Sequence, residues 1–216
     1  KLTGRSGNNN FESNTVLQAS SDAIFLYTFC WIGCTYPNNN NFTNNILNNI
    51  DGYDLNIVGG GIDGTYLIDQ VITNYSIDGI GGIVNFKDST YGEIRFLEAI
   101  EGSGDNLSAD IKIENNSIYV NSSQTGLNKS ANLSFFGVSI TGFATAFRNG
   151  EDCGDVCGDV TNVSDTYYFD VSQFTNYSVG DIVDCGDTIN SSTTLIRNMT
   201  CSGTGIVIGA DDIVLD

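Results

Sequence analysis

The sequence predicts an all-β chain in which stacked solenoid coils give way to antiparallel strands. Three observations carry that expectation. Apolar residues at the helical spacing i, i+3, i+4, i+7 do not persist over any long stretch. Tyr 10, Phe 12 and Gly 25, against Pro 1, supply strand formers and glycine-supported turns. The motif NNNFESNTVL at Asn8–Leu17 recurs as NNNFTNNIL at Asn39–Leu47, and Phe11, Val16 and Ile24 find counterparts at Phe42, Leu47 and Leu55.

Repetition argues for coils that touch only their neighbours, with apolar residues aligned inside and asparagines forming side-chain amide ladders at the bends. The competing reading is an asparagine-rich loop region, since the strand patterns here are short. The repeat offset exceeds the usual ~20–29 residues of one coil, which requires an inserted loop; CWIGCTYP supplies one. Next comes VGGGIDG at Val58–Gly64, where Gly59, Gly61 and Gly64 have the GxGxxG spacing. A dinucleotide site needs a helix after the glycines and no negative charge inside the loop. Thr65–Ile68 reads as a strand and Asp63 sits in the loop, so these glycines and those of Asp78–Gly82 are expected to be solenoid turns. Between Ile83 and Leu133, IVNF, EIRFLEAI, ADIKIE and SIYVN alternate as the last coils passing into an antiparallel sandwich. ANLSFFGVSI at Ala131–Ile140 and YYFDV at Tyr167–Val171 continue it.

The stretch Asp184–Asp216 reads as the opening of a further fold, with short β-like runs at Thr193–Ile196, Ile206–Ile208 and Ile213–Leu215 and no cap. The first residues, KLTGRSGNNNFESN, read as the continuation the last ones lack. Backbone donors and acceptors left uncovered beside apolar side chains are a template for another chain. The expectation is that the head of one chain stacks on the tail of the next. Leu2, Thr3 and Phe11 would then meet Ile206, Ile208, Ile213 and Leu215.

CGDTI followed by STTL, TCSGTGIVIGADDIVLD and LTG resembles the entry coils of right-handed parallel β-helix repeats in archaeal cell-surface proteins, a carbohydrate-binding and sugar-hydrolysis-like group. NNSIYVNSSQTGLNKSANLSFFGVSI at Asn115–Ile140 resembles the small β-sandwich that follows such helices. With FRNGEDCGDVC and YYFDVSQFTNYSVGD, the resemblance covers most of the chain. It implies a β-helix body over 1–105, a β-sandwich over 106–180, and β-helix entry coils over 181–216 completed by the next subunit or repeat. That order departs from the usual one and suits a tandem unit or a head-to-tail subunit.

Lys+Arg 8 against Asp+Glu 26 gives a net charge of -18, which repels phosphate backbones and argues against nucleic acid. The six cysteines form three local pairs, Cys30 with Cys34, Cys153 with Cys157 and Cys185 with Cys201. On an acidic chain with no histidine these fit disulfides in an oxidising, extracellular setting better than a zinc site. Asn-x-Ser/Thr sequons begin at Asn41, Asn74, Asn106, Asn115, Asn121, Asn128, Asn132, Asn162, Asn176, Asn190 and Asn198, read as N-linked glycan acceptors or as compositional bias. Lys1 is no initiator, so the chain is expected to be processed or part of something longer. Its most apolar stretch, Ala23–Ile32, is shorter than the ~20 residues that span a bilayer.

Without histidine, Ser-His-Asp and Cys-His catalysis are excluded. Asp51, Asp54, Asp63 and Asp69, with Lys87 and Arg95, are the groups a β-helix lyase or glycosidase would draw on, yet paired carboxylates are common in so acidic a chain. The loop Asn149–Asp165 gathers Glu151, Asp152, Asp155, Asp159 and Asp165, a candidate structural calcium site whose spacing matches no EF-hand. No other cofactor is expected. The reading favoured is a non-enzymatic, glycosylated extracellular subunit of a filament or surface appendage, polymerising with copies of itself. The alternatives are a carbohydrate-binding adhesin, with Trp31, Tyr36, Tyr53, Tyr66 and Tyr91 stacking on sugar rings, and a polysaccharide-cleaving enzyme.

Overall fold

Strands of three or four residues dominate the first third of the chain because the backbone turns a corner every few residues. The computed structural model describes residues 2–4 (backbone), 7–27, 37–48, 50–60, 62–78, 82–140, 144–190 and 199–215. The first ten strands are β1 (Leu2–Gly4), β2 (Asn10–Glu12), β3 (Thr15–Leu17), β4 (Ile24–Tyr27), β5 (Asn41–Thr43), β6 (Ile46–Asn48), β7 (Leu55–Val58), β8 (Ile62–Ile68), β9 (Tyr75–Ile77) and β10 (Gly82–Asp88). They pair in parallel in three sheets: β2, β5, β8, β10 in one, β1, β4, β7, β9 in a second, β3 and β6 in a third. The chain visits these sheets in the same order twice, β2 to β4 and then β5 to β7. Phe11 lies opposite Phe42, Val16 opposite Leu47 and Ile24 opposite Leu55, the three pairs that the sequence repeat predicts.

The corners explain the asparagines. Asn8, Asn39 and Gly64 have φ of 62°, 53° and 66° at one corner, and Ser13, Asn44 and Asp69 have 53°, 49° and 48° at the next. Left-handed backbone suits glycine and the short polar side chains that bond locally, and excludes branched ones. At these corners the Asn8 amide donates to Asn38 O at 2.9 Å, Asn39 to Asp63 O at 2.8 Å, and Ser13 to Thr43 O at 3.0 Å. Beside them run the expected amide ladders. Asn9 Nδ2 donates to Asn40 Oδ1 at 2.8 Å, Asn14 Nδ2 to Asn45 Oδ1 at 3.0 Å, and Asn45 Nδ2 to Gln70 Oε1 at 3.2 Å. Asn40 and Asn45 are buried, so each rung satisfies a polar group that would otherwise cost free energy.

The remaining elements are β11 (Gly92–Phe96), β12 (Gly102–Gly104), one helical turn α1 (Leu107–Asp110), β13 (Ile111–Glu114), β14 (Ser117–Val120), β15 (Ala131–Phe136), β16 (Ala144–Arg148), β17 (Glu151–Asp152), β18 (Thr161–Val163), β19 (Thr166–Val171), β20 (Asn176–Asp181), β21 (Thr188–Ile189) and β22 (Val207–Ile208). Strand polarity reverses at the turn after β10, where Asp88 Oδ1 accepts from the amides of Thr90 at 2.8 Å and Tyr91 at 2.9 Å. From there β11, β15, β19 and β18 extend the first sheet antiparallel, to eight strands. A second antiparallel sheet orders β13, β14, β20, β16, β17, and Phe169 of the first meets Tyr177 of the second edge-on at 6.0 Å. The change of polarity falls ahead of the 105/106 boundary expected, and one apolar cluster runs across it from Ile24 to Val179. β16 and β20 were not singled out in the sequence, although Ala146, Phe147, Tyr177 and Val179 on them are buried.

The glycine run ends in β8, a strand where a dinucleotide site needs a helix; residues 79–81 of the second glycine run lie outside the described residues. Disulfides join Cys153 to Cys157 and Cys185 to Cys201. Cys30 and Cys34 lie outside the described residues. β22 is shorter than the Ile206–Ile208 run expected, Leu215 is a lone bridge residue where Ile213–Leu215 was read as a strand, and Thr193–Ile196 lies outside the described residues. No helix among the described residues is long and apolar enough to cross a membrane.

Phe42 is fully buried under the Phe11 ring, so Phe42→Ala is expected to cost about 3–5 kcal/mol of unfolding free energy, read from denaturant titration. Burial raises the phenol pKa of Tyr75, helped by the hydrogen bond to Asp110; burial also raises Tyr66, helped by the Glu93 charge, and Tyr177. Because the folded state holds these phenols neutral, their contribution is full below the unfolded phenol pKa of about 10 and is lost as pH rises above it. Spectrophotometric titration should show these three ionising after the other tyrosines, or together with alkaline unfolding.

Candidate functional site

The parallel ladders end at one side of the chain in three strands, β1, β2 and β3. Each is the edge of its sheet, with a parallel partner on one side and none on the other among the described residues. Edge backbone groups beside apolar side chains are where another strand adds. In β5, the residues that bond toward β2 alternate with those that bond toward β8: Asn41 N donates to Asn9 O, while Asn40 O accepts from Tyr66 N. By that alternation Asn10 and Glu12 of β2 point their backbone groups outward, since Phe11 and its neighbours of the same parity serve β5.

The side chains at this edge take part as well. Phe11 stacks on Phe42 with ring centroids 4.8 Å apart and planes 9° apart, and its other face is half exposed. The Asn14 amide group donates both from its backbone N and from Nδ2 to Asn45 Oδ1, each at 3.0 Å. Asn45 does the same toward Gln70 Oε1, at 3.0 and 3.2 Å. The amides also bond the other way, Asn45 Nδ2 to Phe11 O at 2.9 Å and Gln70 Nε2 to Asn45 O at 2.6 Å, so each side chain ties a strand to its neighbours on both sides. Asn14, at the start of this ladder, is exposed.

The tail carries the other expected contact residues. β21 and β22 pair in parallel, Thr188 opposite Val207 and Ile189 opposite Ile208. Ile189 is buried yet outside the main apolar cluster, whereas Val207 is 40% and Ile208 52% exposed. Ile206 and Ile213 are half-buried and Leu215 is exposed. Among the described residues β1 and the tail form no ladder with each other. For Leu2 and Thr3 the backbone is placed opposite Ile24 and Phe25.

Two of the four candidate catalytic aspartates, Asp54 and Asp69, hold neighbouring turns together. Asp54 Oδ2 accepts from the Thr73 amide at 2.8 Å and from the Thr73 hydroxyl, and Asp69 Oδ1 accepts from Ser89 N at 2.7 Å. Asp51, at a bend, and Asp63, in β8, are exposed. Asp69 and Lys87 share one open groove of ≈ 410 Å³ with Lys112 and Glu114, while Arg95 pairs with Glu93 at 3.5 Å. In the acidic loop, Asp152 Oδ1 caps the Gly154 amide at 3.0 Å, and among the described residues no three carboxylates or cysteines converge on a common point. Of the aromatics proposed to stack on sugars, Tyr53 and Tyr91 are exposed, the Tyr66 hydroxyl donates to Glu93 at 3.0 Å, and Trp31 and Tyr36 lie outside the described residues.

The sequons divide by what their amide nitrogen does, because that nitrogen is the one that takes a glycan. Asn74 Nδ2 donates to Gly52 O at 2.8 Å, Asn121 Nδ2 to Asp110 at 2.8 Å and Asn132 Nδ2 to Asp170 at 2.9 Å. Asn106, Asn128 and Asn176 accept at their oxygens, from Ala109 N, Phe174 N and the Ser117 hydroxyl. Asn115, Asn162 and Asn190 are exposed, Asn41 is half-buried, and Asn198 lies outside the described residues. The division was hidden in the sequence, where all eleven look alike. No family model matches the chain, and no curated protein and no solved structure matches it.

Proposed function

We propose that the chain is a glycosylated extracellular structural subunit of a filament or surface appendage, and that copies join head to tail by strand stacking. Residues 1–105 then form coils of a right-handed parallel β-helix, 106–180 contribute the small sandwich, and 181–216 open a next β-helix. The resemblance to archaeal cell-surface β-helix proteins belongs to the same proposal. The observation that carries it is the edge formed by β1, β2 and β3, where parallel ladders stop in mid-pattern with apolar and amide groups facing out. A head-to-tail contact is heterologous and grows into a fibre unless its rotation closes a ring. The two disulfides and the -18 charge suit an oxidising exterior and a surface kept apart from phosphate polymers.

Electron microscopy of the purified chain should show fibres. Deleting residues 1–10, which removes β1 and its charged start, is expected to leave soluble monomers by light scattering; fibres from that deletion would place the seam elsewhere. Glycopeptide mass spectrometry is expected to find sugar at Asn115, Asn162 and Asn190 and none at Asn74 or Asn121, whose half-buried nitrogens are committed to Gly52 and Asp110.

A further inference from the structure

The two ends of the chain share a local pattern that goes beyond both being β. At the corner before β2, Asn8 has φ 62°, and the residue three further on, Phe11, points inward; Asn39 and Phe42 repeat this, as do Gly64 and Leu67. In the tail, Gly186 has φ 94° and Ile189, three residues on, is buried. The bonding parity agrees too. Val207 N donates to Asp187 O and Gly209 N to Ile189 O, both at 2.8 Å. Asn41 N donates to Asn9 O at 2.8 Å in the same frame, with Asp187 in the place of Asn9 and Ile189 in that of Phe11.

We infer that the occupant of the β2 edge is β22 of a second copy of this chain, in the register that sets Val207 opposite Asn10 and Ile208 opposite Phe11. This rests on the head-to-tail reading and adds to it a register. Val207 and Gly209 already serve β21, so by strand alternation Ile206 O, Ile208 N and O, and Ala210 N face the other way. Asn10 and Glu12 turn their backbone groups outward from β2, so Asn10 N meets Ile206 O and Glu12 N meets Ile208 O. Ile208, half exposed in one copy, covers the open face of Phe11 in the next. A shift by one residue breaks both matches at once, because it reverses bonding parity and turns Ile208 outward.

A second copy is favoured over an unrelated partner because the tail repeats what β2 already accepts on its other side: β22 stands to Gly186 and Ile189 as β5 stands to Asn8 and Phe11, with the same corner, bonding parity and inward residue.

The test uses two variants of the full chain that each add one cysteine to the native six, Asn10→Cys and Val207→Cys, both at exposed positions and so compatible with folding. Directly opposed residues on neighbouring strands lie within disulfide reach. Mixed before assembly and oxidised mildly, the pair should give covalent dimers at least tenfold above either variant alone. Fibres that form without this cross-link, or that cross-link Asn10→Cys better to Gly205→Cys, where a side chain meets open space, overturn the register and leave head-to-tail assembly standing. Absence of fibres from the unmodified chain at every concentration overturns both.

Discussion

A parallel strand ladder has no natural end, and that constraint governs this molecule. Each backbone edge in such a stack bonds forward with one set of residues and backward with the alternate set, so the first strand always holds half of its groups in reserve. Antiparallel strands can carry such a ladder on with the chain reversed, as β11 does beside β10 through the Asp88 turn. The parallel ladder of β2, β5, β8 and β10 is continued in this way at β10. At its other end, among the described residues, nothing continues it past β2, nor its neighbours past β1 and β3.

The amide side chains tie neighbouring parallel strands together in both directions. Asn14 Nδ2 donates to Asn45 Oδ1 and Asn45 Nδ2 to Gln70 Oε1, while Asn45 Nδ2 also donates back to Phe11 O and Gln70 Nε2 to Asn45 O. These residues sit one position past the left-handed corners at Ser13, Asn44 and Asp69, so the corner residue turns the chain and the next one fastens the turn to its neighbours.

The antiparallel half supplies what the coils lack. Its two sheets share a continuous apolar cluster with the coils, with Phe135 stacked on Phe169 and Phe96 against Phe174. The short parallel strands therefore do not have to support themselves, since they share a packed core with the antiparallel ones. Among the described residues β1, β2 and β3 are the edges of the parallel ladders on the side away from that core.

Much of the body was legible in the sequence. The repeat at Phe11 and Phe42, Val16 and Leu47, Ile24 and Leu55 anticipated three cross-strand pairs, because identical corners place identical inward residues at one offset. The amide ladders were legible for the same reason. Less of the candidate site was. Phe11 and Ile208 could be named from their apolar, β-like surroundings, but the parity of bonding at each depends on which strand it already serves. The sequence by itself determined an all-β, cysteine-paired, strongly acidic chain with repeating corners, since those follow from residue type and spacing. Only the tertiary structure decided where parallel pairing turns antiparallel, which sequon nitrogens are committed, and which edges stay uncovered, because each of these is set by neighbours distant in the chain.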